Sequence, residues 1–110
     1  MSGDFASALA ERVLVCDGAM GTMLHASGIS LDRPLPELNL SEPGLVRAIH
    51  DSYLAAGAEV IQTNTFGASA LRLAVHGLGE LAADINLAGA RIALEARAAA
   101  GRPVFVAGSV

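Results

Sequence analysis

VLVCDGAMGT, residues 13–22, decides how the rest of the chain is read. Val13, Leu14, Val15 and Cys16 form an apolar run rich in strand formers that ends at an Asp-Gly pair, the pattern of a buried strand running into a sharp turn. Asp17 then stands where the backbone leaves the sheet. Gly18 and Gly21 keep that turn free of bulky side chains. A carboxylate so placed is open to a ligand.

Working outward, the same grammar repeats twice. Ser41-Glu42-Pro43 reads as a helix start, with Ser as N-cap, an acid in the first turn and Pro where no amide donor is needed. Leu45, Ile49 and Tyr53, flanked by Val46 and Ala56, make an apolar helical stripe that Gly57 closes. Glu59–Thr63 follows as a second strand ending in Asn64-Thr65. Strand, crossover helix and strand in this order predict a parallel βαβ unit. After Gly101 and Pro103, Val104–Ala107 reads as a third strand ending at Gly108-Ser109. The expected fold class is α/β. Each strand terminates in small or polar residues, and in barrels and doubly wound sheets alike ligands gather at the carboxyl ends of strands.

Between these strands the chain is expected to be largely helical. Phe5, Leu9 and Val13 step by four across a lead-in helix, Asp4–Arg12, suited to covering the amino end of the sheet. Met20–Ala26 forms a helix stopping at Ser27-Gly28, turning Met20, Met23 and Leu24 inward. Ile29–Leu40, with Asp32, Pro34, Pro36 and Asn39, reads as an irregular loop. Asn39-Leu40-Ser41 fits a glycosylation acceptor, but reads better as that loop entering a helix cap. Ser69 caps a short helix through Val75. Leu81, Ile85, Ala88, Ile92 and Ala96 then mark a long helix, in which Gly89 permits close packing onto a sheet.

Composition narrows the function classes. The 110 residues are 53% apolar and 16% charged, which argues for a packed body and against disorder. All seven basic residues are arginines scattered singly, and the net charge is −4, so neither nucleic acid nor an anionic membrane is an expected partner. One cysteine and no leader pattern fit a cytoplasmic, reducing location. Cys16 is expected to be a free thiol pointing into packing. The three histidines show no metal-ligand spacing; His50 is placed on an exposed part of its helix and His76 near a helix C-terminus.

Two readings stand for each candidate site residue. Asp17 either meets a ligand amine or hydroxyl, or caps its own turn. Thr63, Asn64 and Thr65 either orient a small polar substrate or satisfy a βα turn, and three together favour a site. Gly18–Thr22 as a phosphate loop lacks the Lys and glycine spacing of nucleotide motifs.

The motifs DGAMGTML at Asp17–Leu24, ELNLSEP at Glu37–Pro43, AGAEVIQTNTFGAS at Ala56–Ser69 and the final VAGSV together resemble the N-terminal part of the homocysteine S-methyltransferase domain, across nearly the whole chain. The ELNLS loop is most similar to bifunctional homocysteine S-methyltransferase/methylenetetrahydrofolate reductase proteins, with cobalamin-dependent methionine synthase next. The resemblance implies a (β/α)8 TIM barrel, of which residues 1–110 form about three βα units, truncated after strand three. It implies that a zinc-bound homocysteine thiolate takes a methyl group to give methionine. The zinc ligands, three cysteines on later strands, lie outside this chain, and no catalytic or metal residue is transferred to it. Homocysteine is the implied partner, the methyl donor is open, and folate, cobalamin or FAD would come with other domains. Carried over residue by residue, Asp17 and Gly18 hold the amino-acid end of homocysteine, while Thr63, Asn64, Thr65 and Phe66, with Gln62, shape the pocket. The isolated segment is expected to be inactive. A self-contained α/β amino-acid-binding module and the start of a nucleotide-binding fold are the rivals.

Overall fold

The computed structural model describes residues 4–110. Six α-helices occur among them: α1 Phe5–Glu11, α2 Met20–Ala26, α3 Leu38–Ser41, α4 Pro43–Ala55, α5 Ala70–Ala74 and α6 Ala82–Ala99. Two strands, β1 Val60–Gln62 and β2 Phe105–Ala107, pair in parallel with Ile61 opposite Val106. The stretch before Asp17 joins them as an extended segment with a single parallel bridge, Cys16 to Val60. Val60 turns its N–H to Val15 and its carbonyl to Asp17 N–H, whereas Glu59 C=O and Thr63 N–H face β2. In a parallel ladder successive residues address opposite neighbours, so β1 is the middle member of three.

The expected buried first strand is therefore corrected to an extended segment with little cover. Val13 is 88% exposed, Val15 55%, and Cys16 is exposed rather than packed inward. The segment has β1 along one edge, and α2, which follows it, packs on α4 instead. Glu59 compensates by anchoring it at the amino end: one carboxylate oxygen accepts Val15 N–H at 3.0 Å and the other accepts from Arg12. These bonds to the charged form hold the Glu59 carboxyl below its usual range. α1 lies at that same end, its Phe5 ring meeting Phe105 edge-on at 5.4 Å.

The two long helices make the core. Leu54 of α4 and Ala93 and Ala96 of α6 close over Ile61 and Val104, while Val46 and Ile49 of α4 and Ile92 of α6 enclose Leu24 of α2 and Leu38 of α3. Leu24 and Leu38 are fully buried, and burying a leucine contributes roughly 1.5–3 kcal/mol. A smaller cluster of Ala68, Leu73 and Ile85 seats α5, whose N-cap Ser69 accepts Arg72 N–H as expected. Gly57 ends α4 at φ +109°, a conformation closed to most side chains. Arg102 ties off the same end, donating to the carbonyls of Leu54 and Ala58 at 2.6 and 3.0 Å.

Four expectations change in detail. Ile29–Leu40 is not irregular throughout, because a 3-10 turn at Leu35–Glu37 leads into α3. Ser41 ends α3 instead of capping α4; its hydroxyl donates to Glu37 and accepts from Arg33, and α4 begins at Pro43 with no side-chain cap. Gly89 approaches Asn39 and Thr65 rather than a sheet: a Cβ there would fall 2.7 Å from Asn39 Nδ2 and 2.8 Å from Thr65 Cγ2. His50 is completely buried, since Val46, His50 and Leu54 step by four along the inward face of α4. No helix among the described residues is long and apolar enough to cross a membrane.

Candidate functional site

The carboxyl ends of the three parallel segments meet at one rim. Asp17 Oδ2 accepts the Gln62 N–H at 3.0 Å, which fixes the carboxylate across the end of β1. Its other oxygen, Oδ1, is buried and has no hydrogen-bond partner. The Asx-turn reading assigned this side chain to its own turn; the partner is instead 45 residues away.

The turn after Asp17 is held from below by α4. Tyr53 donates its hydroxyl to Ala19 C=O at 2.8 Å, and a Cβ on Gly18 would fall 2.9 Å from that hydroxyl oxygen. A side chain at Gly18 would force the tip of the Tyr53 ring to shift, so the close approach of the ring favours glycine here.

After β1, the polar cluster divides its labour. Thr65 donates its hydroxyl to Ser109 C=O at 2.7 Å, so the 2.7 Å contact between the two threonine hydroxyls must run from Thr63 to Thr65. Thr63 accepts the Ser109 N–H at 3.1 Å. Both hydroxyl protons are thereby spent within the rim, and Thr63 has only a lone pair left to offer. Asn64 is committed to the fold: its amide nitrogen donates to Leu35 C=O and Asn39 Oδ1, while Asn39 Nδ2 donates to the carbonyls of Asn64 and Ile85. The paired amides lock α3 and α6 to the turn after β1. They also leave Asn39, 2% exposed, unable to present itself for glycosylation.

Asp17, Gly18, Thr63, Asn64 and Phe66 line one open cleft of ≈ 470 Å³, together with Leu35, Gln62 and Ser109. Thr65 stands behind it, in an adjoining hollow with Phe66 and Ser109. Phe66 is 70% exposed and forms an apolar lip. Two residues that support the site are not singled out as such by the sequence pattern: Asn39, which pairs with Asn64, and Tyr53, which holds the turn after Asp17. Among the described residues no three His, Cys, Asp or Glu side chains gather as a metal ion requires.

The structure thus brings the Asp17 carboxylate and the Thr63 hydroxyl to one open cleft at the carboxyl rim of an α/β framework. The family model for homocysteine S-methyltransferase matches residues 14–110, and the chain belongs to that family. It is 36% identical over 106 residues to a methionine synthase of Mycobacterium tuberculosis, an alignment spanning 91% of this chain and 9% of that protein. The homocysteine methyltransferase MmuM of Escherichia coli, in its metallated form, superposes with a TM-score of 0.79 at 30% identity, covering 94% of this chain and 40% of that one. Its oxidized form gives 0.74 at 28% identity, covering 90% and 39%. The chain thus spans less than half the length of these relatives.

Proposed function

We propose that this chain forms the amino-acid-binding part of the substrate pocket in a homocysteine S-methyltransferase built on a (β/α)8 barrel. Asp17 carries the reading. It lines the cleft at the carboxyl rim, where the Gln62 N–H fixes its Oδ2. The α-ammonium of homocysteine brings a positive charge and three N–H donors to the Asp17 carboxylate and the free lone pair of Thr63, which line the same cleft. Gly18 and Tyr53 hold the loop after Asp17 against α4, and Phe66 supplies an apolar wall for the substrate's methylene chain.

The parent reaction transfers a methyl group to the homocysteine sulfur, the donor departing with the bonding pair, to give methionine. In this family zinc holds and activates the thiolate on cysteines. The residues here do not fit that task, since the one cysteine, Cys16, is exposed and stands apart from any group of ligands. No step of the chemistry is therefore assigned to these residues. Their part is to bind and orient.

Calorimetry with homocysteine on the full-length protein and on the 110-residue chain tests the reading. Binding and methionine formation by the full-length protein, with no turnover by the short chain, are expected. Failure of the full-length protein to bind homocysteine would overturn it. Undiminished binding by the short chain, without catalysis by either form, would favour a self-contained amino-acid-binding module.

A further inference from the structure

Ile85, Gly89, Ile92 and Ala96 turn one face of α6 into the protein. The opposite face carries Leu87, Arg91 and Leu94, whose steps of four and three keep them on one line, and the two leucines are 51% and 41% exposed. Amphipathic helices ordinarily give that face to polar residues. Beside Leu87 runs a groove of ≈ 480 Å³ between α6 and the junction of α3 with α4, along which Leu40, Pro43, Ala88 and Ile92 lie together with Asp84 and Arg91. Asp84 stands in the first turn of α6, and Arg91 follows near the middle of the helix. Among the described residues neither is ion-paired, whereas Arg12, Arg33 and Arg47 all are. One patch therefore holds an apolar knob, an apolar trough and an unpaired charge of each sign.

We propose that this face of α6 is a self-association surface, on which a second copy of the chain packs with the two α6 helices antiparallel. A patch that fits its own copy must supply both members of every contact, and this one does. Antiparallel packing about a two-fold axis between Leu87 and Ala88 pairs positions equally far from the axis on either side. Asp84 then meets the partner's Arg91, and Arg91 meets the partner's Asp84. Leu87 seats against the partner's Ala88 in the trough that Leu40 and Pro43 flank, and Leu94 reaches the partner's Leu81. A parallel arrangement would instead set Asp84 on Asp84 and Arg91 on Arg91, and would align the helix dipoles unfavourably. Glu80 and Glu95 come together only at the two ends of the contact, where water and salt screen them. The 18 residues of α6 make it about 27 Å long, which gives the seam its length. None of these residues lines the cleft of Asp17, so the pairing is independent of the substrate reading.

The test is sedimentation velocity on the full-length protein without homocysteine, from about 1 to 100 μM and at low and high salt. A concentration-dependent dimer that weakens in high salt is expected. Asp84→Arg and Arg91→Asp, each alone, place like charges opposite one another twice and are expected to weaken association about tenfold or more. Both substitutions in one chain let the exchanged charges meet again across the axis, and should restore association to within about threefold of wild type. Leu87→Ala removes the knob at a half-exposed position and is expected to weaken association about tenfold or more with an unchanged melting temperature. A full-length protein that stays monomeric throughout overturns the proposal and leaves the groove to an occupant of another kind. Association that the single exchanges leave untouched, or that the double exchange fails to restore, also overturns it, because the contact then lies elsewhere. Should a charge exchange fail to fold, Leu87→Ala decides the matter, and undiminished association in that variant overturns the antiparallel contact.

Discussion

The two ends of the parallel segments treat their charged groups in opposite ways. At the amino end Glu59 is engaged by Val15 N–H and Arg12, and Arg102 donates to two carbonyls at the end of α4. At the carboxyl end Asp17 keeps an oxygen without a donor. An unsatisfied buried polar atom costs about 1–3 kcal/mol, so a fold tolerates such atoms where a ligand repays them. The amino end spends its charges on holding the segments together, whereas at the carboxyl end, where the proposed function puts the ligand, the neutral groups hold the segments and the carboxylate is left only half engaged.

Asp17→Asn tests the contrast most severely. The amide can still accept Gln62 N–H through its oxygen, but it presents N–H groups where the ammonium needs an acceptor. Homocysteine affinity in the full-length protein is expected to fall about 100-fold or more, the scale of removing a desolvated charge partner. Stability should change little, since the amide oxygen keeps the bond from Gln62 N–H. A variant that loses stability while keeping homocysteine affinity would reverse the roles given to the two ends.

Much of this arrangement was legible in the order of the residues. The stripe on α4, the strand at 60–62 and the polar residues after it follow from helical spacing, β-branched runs and turn chemistry, all of them local. The convergence of Asp17 with the 63–65 cluster followed from parallel topology, because parallel strands carry their carboxyl ends to one side. What local pattern could not show was the division of labour at the rim. Thr63, Asn64 and Thr65 looked equivalent, yet Asn64 is bound to Asn39, from a stretch read as loop, and the threonine protons are directed by Ser109, over 40 residues on. Such pairings depend on tertiary proximity. Cys16 and His50 depart from their sequence patterns for opposite reasons. An apolar run implies cover that the extended segment does not have, and a polar ring suggests surface although its position on the helix faces inward.

Arg102→Ala probes the other end. It frees the carbonyls of Leu54 and Ala58 without touching the cleft, and the guanidinium lies partly in solvent, so a loss of about 1–2 kcal/mol is expected by thermal or urea unfolding. Homocysteine affinity should stay within about twofold of wild type, by the near-independence of distant sites. A fall in affinity equal to that of Asp17→Asn would show that the two ends are mechanically one.

The smallest expected effect is a two-stage acid response, one stage from the buried ring of α4 and one from Glu59 at the amino end. His50 has a folded-state pKa below the ordinary value of 6.5, so above that pH folded and unfolded chains both hold it neutral and it contributes no penalty. As pH falls through about 6.5 the unfolded chain takes up a proton that the folded chain refuses, and stability declines until the folded-state pKa is passed. Glu59 has its pKa lowered from 4.5 by Val15 N–H first and by Arg12 second, so its contribution is intact above 4.5 and disappears as pH drops below it. The Glu59 stage is modest because the pair with Arg12 is exposed to solvent. Melting temperatures measured from about pH 8 to 3 should therefore decline first through a component that His50→Asn abolishes and later through one that Glu59→Gln abolishes. If Glu59→Gln instead flattened the upper stage, the amino end would be titrating in the range that belongs to the buried ring of α4, and the local anchoring role of Glu59 would fail.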